Sequence, residues 1–135
     1  MQFITVASLA LATVFGFAAA QSGVPSGTSC GGHKFSSDDI TTAINAALDD
    51  SASGNYPDNY PHNYEHRASE DIQLVCGDAP WSEFPLENGY AYTSSSSHYV
   101  SPGAYRVIYQ TNTGDYCASV MHENGSSDFV QCDDE

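Results

Sequence analysis

Four cysteines, Cys30, Cys76, Cys117 and Cys132, most tightly bound what this chain can fold into. What they can do depends on where the chain goes, and residues 1–20 address that. "MQFITVASLALATVFGFAAA" has no charged side chain, a long apolar core and an Ala-x-Ala ending before Gln21. That is the pattern of a secretory signal peptide. The chain is therefore read as a leader over 1–20 followed by one domain over 21–135. In an exported small domain an even number of cysteines reads as two disulfides, and the count alone leaves three connectivities open. Zinc is disfavoured, because there is no Cys-x-x-Cys pair and no close Cys/His spacing. No other stretch approaches the length of a membrane span. The sequence thus predicts a secreted, extracellular domain with no membrane partner.

Charge narrows the choice of partner. Three basic residues, Lys34, Arg67 and Arg106, stand against seventeen acidic ones, a formal net charge of −14. A basic footprint on nucleic acid draws its affinity from many cationic contacts to phosphate, and this chain cannot supply them. DNA is not an expected partner. Any anion the protein handles must be met locally and released easily. The same excess of charge favours a monomer.

From Ser36 the stretch "SSDDITTAINAALDD" reads as a helix. Ile40, Ala43, Ile44, Ala47 and Leu48 fall on one apolar stripe. Ser36, three residues before Asp39, is placed to cap the N-terminus, and the Asp pair suits the positive end of the helix dipole. Asp49 and Asp50 oppose the C-terminal end, so fraying is expected near Ser51, with a polar loop over "SASGNYPDN". Short aromatic or β-branched runs follow at about 60–66, 72–76, 81–86, 105–110, 116–122 and 129–132, separated by Gly, Ser, Asn and Pro. One helix followed by several strands argues an α+β fold, one long helix packed on a twisted antiparallel sheet.

Strand alternation bears on the chemistry. Tyr60, His62 and Tyr64 share one parity, as do Trp81, Glu83 and Pro85 on the next run. Phe84 has the opposite parity and is expected in the core. Parity allows Tyr60, His62, Glu83, Arg106 and His122 to meet on one sheet face. Singly, each has a plain reading as a surface or ion-paired side chain. Together, a carboxylate, two imidazoles and a guanidinium can move two protons and hold an anionic transition state. Such a set suits phosphodiester cleavage by an internal hydroxyl and calls for no metal or other cofactor.

Local context sharpens this reading. "NYPHNY" around His62, "WSEFPL" around Glu83, "SPGAYRVIYQTNTG" around Arg106, and "VMHENG" with "DFVQC" around and after His122 occur in that order. Together they closely resemble the small secreted fungal ribonucleases of the T-one family. The likeness is greatest to its purine-preferring U-two branch, which "DDITTAINAALDD", "PDNYPH", "ASEDI" and "VSPG" also resemble. It spans the chain from Cys30 to Cys132.

The resemblance implies an endoribonuclease acting on single-stranded RNA 3′ of purines. It makes Glu83 the general base at the ribose 2′-hydroxyl and His122 the general acid at the departing 5′-oxygen. His62 assists at the 2′-hydroxyl. Arg106 and the Tyr60 hydroxyl stabilise the phosphoryl oxygens, and Phe129 packs beside the phosphate. The implied product is a 2′,3′-cyclic phosphate, later hydrolysed to a 3′-phosphate. The resemblance also implies cis bonds at Tyr60–Pro61 and Ala79–Pro80 and the bridges Cys30–Cys132 and Cys76–Cys117. The extra bridge of the U-two branch is missing, with Val75 at one of its positions.

Base recognition is where the chain departs from the family pattern. In "NYEHRASED", Tyr64 and Glu70 carry over as stacking partner and base-edge acceptor, whereas Glu65, His66 and Arg67 match no known reader. A carboxylate accepts from guanine N1–H and N2–H₂ but only from the N6 amine of adenine, which places guanine ahead of adenine. Arg67 is expected to pair with Glu70. Tyr105 replaces an acid before Arg106, and Glu123 follows His122 where Thr is common. "NGS" at Asn124 is a glycosylation sequon of expected low occupancy, since a glycan there would crowd the base pocket. Ribosome-directed relatives carry long basic loops that this chain lacks. The alternative reading is a host-directed secreted effector that uses the ribonuclease fold as a binding scaffold.

Overall fold

A computed structural model describes residues 22–135; the signal-peptide reading of 1–20 lies outside the described residues. The chain opens with a hairpin of β1 (Gly27–Cys30) and β2 (His33–Ser36), and continues into helix α1 (Ser37–Ser53). A 3₁₀ turn over Pro57–Asn59 leads to β3 (His62–Asn63). Then come β4 (Trp81–Pro85), β5 (Tyr105–Gln110), β6 (Tyr116–His122), β7 (Phe129–Gln131) and β8 (Asp133–Asp134). The fold is α+β, with one long helix on antiparallel sheets.

Helix α1 starts where the capping chemistry places it. The Ser36 hydroxyl accepts the Asp39 N–H at 3.1 Å, and the Asp39 carboxylate accepts the Ser36 N–H at 2.9 Å, a reciprocal cap worth about 1 kcal/mol. Asp39 also accepts the Gly89 N–H at 2.9 Å, tying the helix start to the loop after β4. Ile40, Ala43, Ile44 and Ala47 are buried, as the apolar stripe predicts. The expected fraying near Ser51 does not occur. Gly54 adopts a left-handed conformation (φ 79°) and its N–H reaches Asp50 O at 2.9 Å, so the last turn closes despite the two aspartates.

Strands β3-β4-β5-β6-β7 form one antiparallel sheet, and β2-β1-β8 form a second, smaller one. Phe84, Val107 and Tyr109 face α1 within the main core, which also takes in Phe35, Leu86 and Tyr92. The other face of the large sheet is only partly open. A second cluster of Tyr64, Ile72, Ile108, Cys117, Ala118, Val120 and Phe129 covers half of it, held down by the segment 64–76. Fully burying each large side chain contributes about 1.5–3 kcal/mol.

Two expected strands shrink. The run 60–66 keeps a ladder only at His62–Asn63, with one further bond from Tyr64 N–H to Trp81 O at 2.9 Å; Tyr60 instead closes the 3₁₀ turn, its N–H bonding Pro57 O at 2.9 Å. The run 72–76 joins no ladder. Its Gln73 backbone is matched by the Gln131 side chain at 2.8 and 3.0 Å, and Val75 N–H bonds Cys117 O at 3.0 Å. The disulfides are Cys30–Cys132 and Cys76–Cys117, and both Tyr60–Pro61 and Ala79–Pro80 are cis.

Candidate active site

The open half of the large sheet carries a groove of about 290 Å³. Tyr60, His62, Tyr64, Glu70, Glu83, His122 and Phe129 all line it, so seven of the eight expected site residues come to one place, four from strands and Tyr60, Tyr64 and Glu70 from the segments flanking β3. Register explains the assembly. His62 lies opposite Glu83 on β3 and β4, and His122 opposite Phe129 on β6 and β7. The eighth, Arg106, is 3% exposed and lies behind Tyr60 rather than in the groove wall.

Glu83 is nearly buried at 7% exposure, with its strand neighbours Ser82 and Phe84 also buried. Its carboxylate stands 3.6 Å from Arg106 Nε and 3.9 Å from His62 Nδ1, close enough for attraction but too far for hydrogen bonding. Burial raises its pKa from 4.5 to about 7; the Arg106 charge opposes that rise, and the nearby Glu70 adds to it. His62 is stacked on the Tyr60 ring at 4.4 Å and remains solvent-exposed.

Arg106 is almost fully engaged. Nη1 donates to the carbonyls of Pro102, Gly103 and Tyr105 at 3.2, 2.9 and 3.0 Å. Nε and Nη2 both donate to the Tyr60 hydroxyl, at 3.2 and 2.9 Å. Of the five guanidinium N–H groups, about one on Nη2 remains. Because the Tyr60 oxygen accepts twice from Arg106, its own proton is directed elsewhere. Tyr105, which replaces an acid, stacks on His33 at 4.8 Å and so serves the packing of the N-terminal hairpin.

On the far side of the groove, His122 stacks on Phe129 with ring centroids 4.2 Å apart. Its Nδ1 is buried and meets no acceptor in bonding geometry. Burial and the Arg106 charge lower its pKa, while the nearby backbone of Asp128 and Ser126 favours the protonated ring. Glu123 is solvent-exposed.

Glu70 is 7% exposed and rigidly held. One of its oxygens accepts the Tyr64 hydroxyl at 2.8 Å and the other accepts the Phe129 N–H at 2.8 Å. The expected Arg67–Glu70 pair is not formed. Arg67 instead reaches Asp128, Nη1 to Oδ1 at 3.3 Å, spanning 61 positions of sequence. Glu70 is buried between Tyr64 and Phe129, whereas the half-exposed Asp128 carboxylate is open to the half-exposed Arg67. Asn63, Glu65, Arg67 and Ser127 also line the groove. Asn63, Glu65 and Arg67 belong to the expected base-recognition loop without an assigned role there, and Ser127 joins them from the loop before β7.

The raised Glu83 pKa has a measurable consequence for stability. Between pH 4.5 and 7 the folded protein retains a proton that the unfolded chain has lost, so stability falls as pH rises through that window. The accumulated cost above pH 7 is about 3 kcal/mol. Urea denaturation of wild type and Glu83→Gln at pH 4 and pH 8 measures it. The variant should gain about 3 kcal/mol relative to wild type on going from pH 4 to pH 8. A difference independent of pH would contradict the buried, reluctantly ionised carboxylate.

Comparison with known proteins gives consistent results. A family model described as ribonuclease matches residues 23–133. The chain is 39% identical over 107 residues to guanyl-specific ribonuclease U1 of Ustilago sphaerogena, covering 76% of this chain and 91% of the relative. It is 33% identical over 137 residues to guanyl-specific ribonuclease F1 of Fusarium fujikuroi, covering 96% and 95%. Among solved structures it is similar to the ribonuclease He1 of Hericium erinaceus, with a TM-score of 0.57 and 36% identity. That match covers 79% of this chain and 98% of the other.

Proposed function

This chain belongs to the T-one ribonuclease family, and from that membership we propose that it is a secreted endoribonuclease cleaving single-stranded RNA on the 3′ side of guanine. The observation that carries the mechanism is the placement of Glu83 and His122 in one groove, with the Tyr60–Arg106 pair between the strands that hold them.

Glu83 is the general base. Its pKa of about 7 suits proton abstraction near neutrality, where a carboxylate of ordinary pKa is a weaker base. It takes the ribose 2′-hydroxyl proton as that oxygen attacks phosphorus. His122 is the general acid. With Nδ1 buried against the protein, Nε2 is left to face the groove and protonates the departing 5′-oxygen. The new P–O2′ bond and the broken P–O5′ bond leave a 2′,3′-cyclic phosphate. Water later opens it to a 3′-phosphate, with the two groups exchanging roles.

Tyr60 and Arg106 act as a unit on the phosphoryl oxygens. Arg106 contributes its charge and its remaining Nη2 N–H from behind, and polarises the Tyr60 hydroxyl, whose proton is free to donate to the phosphate. His62, exposed beside Glu83, assists at the 2′-hydroxyl and takes over in part when Glu83 is lost. Phe129 holds the His122 ring against the reacting phosphate. Tyr64 and Glu70 form the base pocket. The names of the two guanyl-specific relatives support guanine. So does the Glu70 carboxylate, since each of its oxygens accepts one protein donor and keeps one lone pair for guanine N1–H and N2–H₂.

The test is cleavage of GpC, ApC, UpC and CpC by the disulfide-bonded mature protein in EDTA. GpC should lead, ApC should follow, and the pyrimidine substrates should trail by about 10⁴-fold or more, the scale on which a site built to hydrogen-bond a substrate group rejects one that lacks it. Equal cleavage of all four would remove the purine assignment.

A further inference from the structure

We infer that Asn124 carries an N-linked glycan, seated on the turn between β6 and β7, that covers this turn and leaves the catalytic groove open. The inference rests on the reading above of an exported protein of a fungal ribonuclease family, and it adds a covalent modification to that reading.

Three features lead to this assignment. First, Asn124-Gly125-Ser126 is the one Asn-x-Ser/Thr stretch in the chain, and Ser126 supplies the hydroxyl that glycan transfer needs two residues beyond the acceptor. Second, the stretch forms the tip of a tight turn. The Ser126 N–H bonds Glu123 O at 2.7 Å, and Gly125 takes the positive φ (74°) that the third position of such a turn favours. A Cβ added at Gly125 would meet nothing within 4 Å, so the tip projects into open space. Third, residues 123–127 are exposed without a break, and among the described residues the Asn124 side chain makes no hydrogen bond. A glycan on it displaces no contact. In the transfer, the Asn124 amide nitrogen forms a bond to the anomeric carbon of an oligosaccharide carried on a lipid pyrophosphate. The carbon–oxygen bond to the pyrophosphate breaks, that group leaves with the bonding pair, and the nitrogen gives up one proton.

The expectation of low occupancy rests on crowding of the base pocket, and the placement of Asn124 removes that ground. His122 and Ser127 line the catalytic groove, and Glu123 and Ser126 line a neighbouring one of about 460 Å³, but Asn124 lines neither. The Glu123–Ser126 bond turns the chain back on itself, so the glycan leaves from the tip, beyond both rims. What it covers is the turn. Exposed loop tips of small polar residues are preferred sites of proteolytic nicking. A cut within 123–127 would part His122 from Phe129, the ring on which it stacks. A hydrated glycan on Asn124 screens that turn without entering the groove.

The experiment expresses the full chain, leader included, in a secreting yeast and measures the intact mass of the protein in the medium before and after peptide-N-glycosidase F. Wild type and Ser126→Thr, which keeps the sequon, should each lose the mass of one glycan, with Asn124 converted to Asp. Asn124→Gln and Ser126→Ala should appear at the bare mass, the second although its asparagine is intact. Wild type at the bare mass would overturn the inference. For wild type, kcat/KM on GpC should be the same before and after glycan removal. Cleavage after Glu123 by a glutamyl endopeptidase should become several-fold faster once the glycan is gone. Activity that rises on removal would place the glycan in the groove, and an unchanged rate of cutting would leave the turn uncovered; either result contradicts the inference. Wild type absent from the medium would sink the reading of secretion and this inference with it. Secreted wild type that fails to cleave GpC would sink the ribonuclease reading alone, because the mass measurement decides the glycan.

Discussion

Replacing Glu83 by Gln should lower kcat/KM on GpC by about 10²–10⁴, the range that a positioned general base contributes. The substitution keeps the shape of the side chain and exchanges the basic carboxylate, which the proposed mechanism uses to take the 2′-hydroxyl proton, for a non-basic amide. His122→Ala should lose a similar factor, since the 5′-oxygen is a poor leaving group without a proton. The residual rate in Glu83→Gln is assigned to His62, which sits 3.9 Å from the carboxylate and is open to solvent. Adding His62→Ala to Glu83→Gln should therefore cost a further factor of about ten or more, and His62→Ala alone should cost less than Glu83→Gln. The urea denaturation of Glu83→Gln described above separates lost catalysis from lost fold. Losses below about threefold in both single variants would contradict the assigned acid and base.

The second large effect concerns the disulfides, which differ in what they tie. Cys30–Cys132 closes a separation of 102 residues and joins the N-terminal hairpin to the end of β7. Cys76–Cys117 closes 41 residues and pins the segment behind the base pocket to β6. Loop-closure entropy assigns about 4.7 kcal/mol to the first and about 4 kcal/mol to the second. Either is a large share of the 5–15 kcal/mol typical of a whole domain. The paired substitution Cys30→Ser with Cys132→Ser should therefore show the larger drop in urea midpoint. Cys76→Ser with Cys117→Ser should lose activity out of proportion to its stability. Its bridge holds the segment that packs Tyr64 and Ile72 on the sheet and so keeps Glu70 in place. Equal stability and equal activity losses in the two variants would remove this division of labour.

The features legible in the sequence were those decided by short-range rules. Ser36 and Asp39 announce the helix start, and the spacing of Ile40, Ala43, Ile44 and Ala47 sets its buried face. Strands β4 to β7 alternate strongly enough to place Glu83 and Phe84 on opposite faces, and that placement brought the site together. The N-terminal hairpin was not seen, because "GTSC" and "HKFS" carry one large apolar residue, Phe35, between them. That sheet is completed by β8 from the far end of the chain and by Cys132, neither of which leaves a local signature. Residues 72–76 read as a strand because Ile72, Leu74 and Val75 are β-formers, yet side-chain amide bonds and a disulfide took the place of a ladder. The partner of Arg67 differs from the expected Glu70 for a similar reason. That partner is set by the meeting of two loops 61 positions apart and by the burial of Glu70 beneath Tyr64 and Phe129.

The most direct test of the central claim is a ³¹P NMR time course of GpC with the disulfide-bonded protein in EDTA. Attack by the internal 2′-hydroxyl, with Glu83 and His122 moving the protons, predicts that the guanosine 2′,3′-cyclic phosphate signal appears first and then decays slowly into the 3′-phosphate. A 3′- or 5′-phosphate that appears with no cyclic precursor would contradict that chemistry, and no cleavage at all would return the groove to the role of a binding surface.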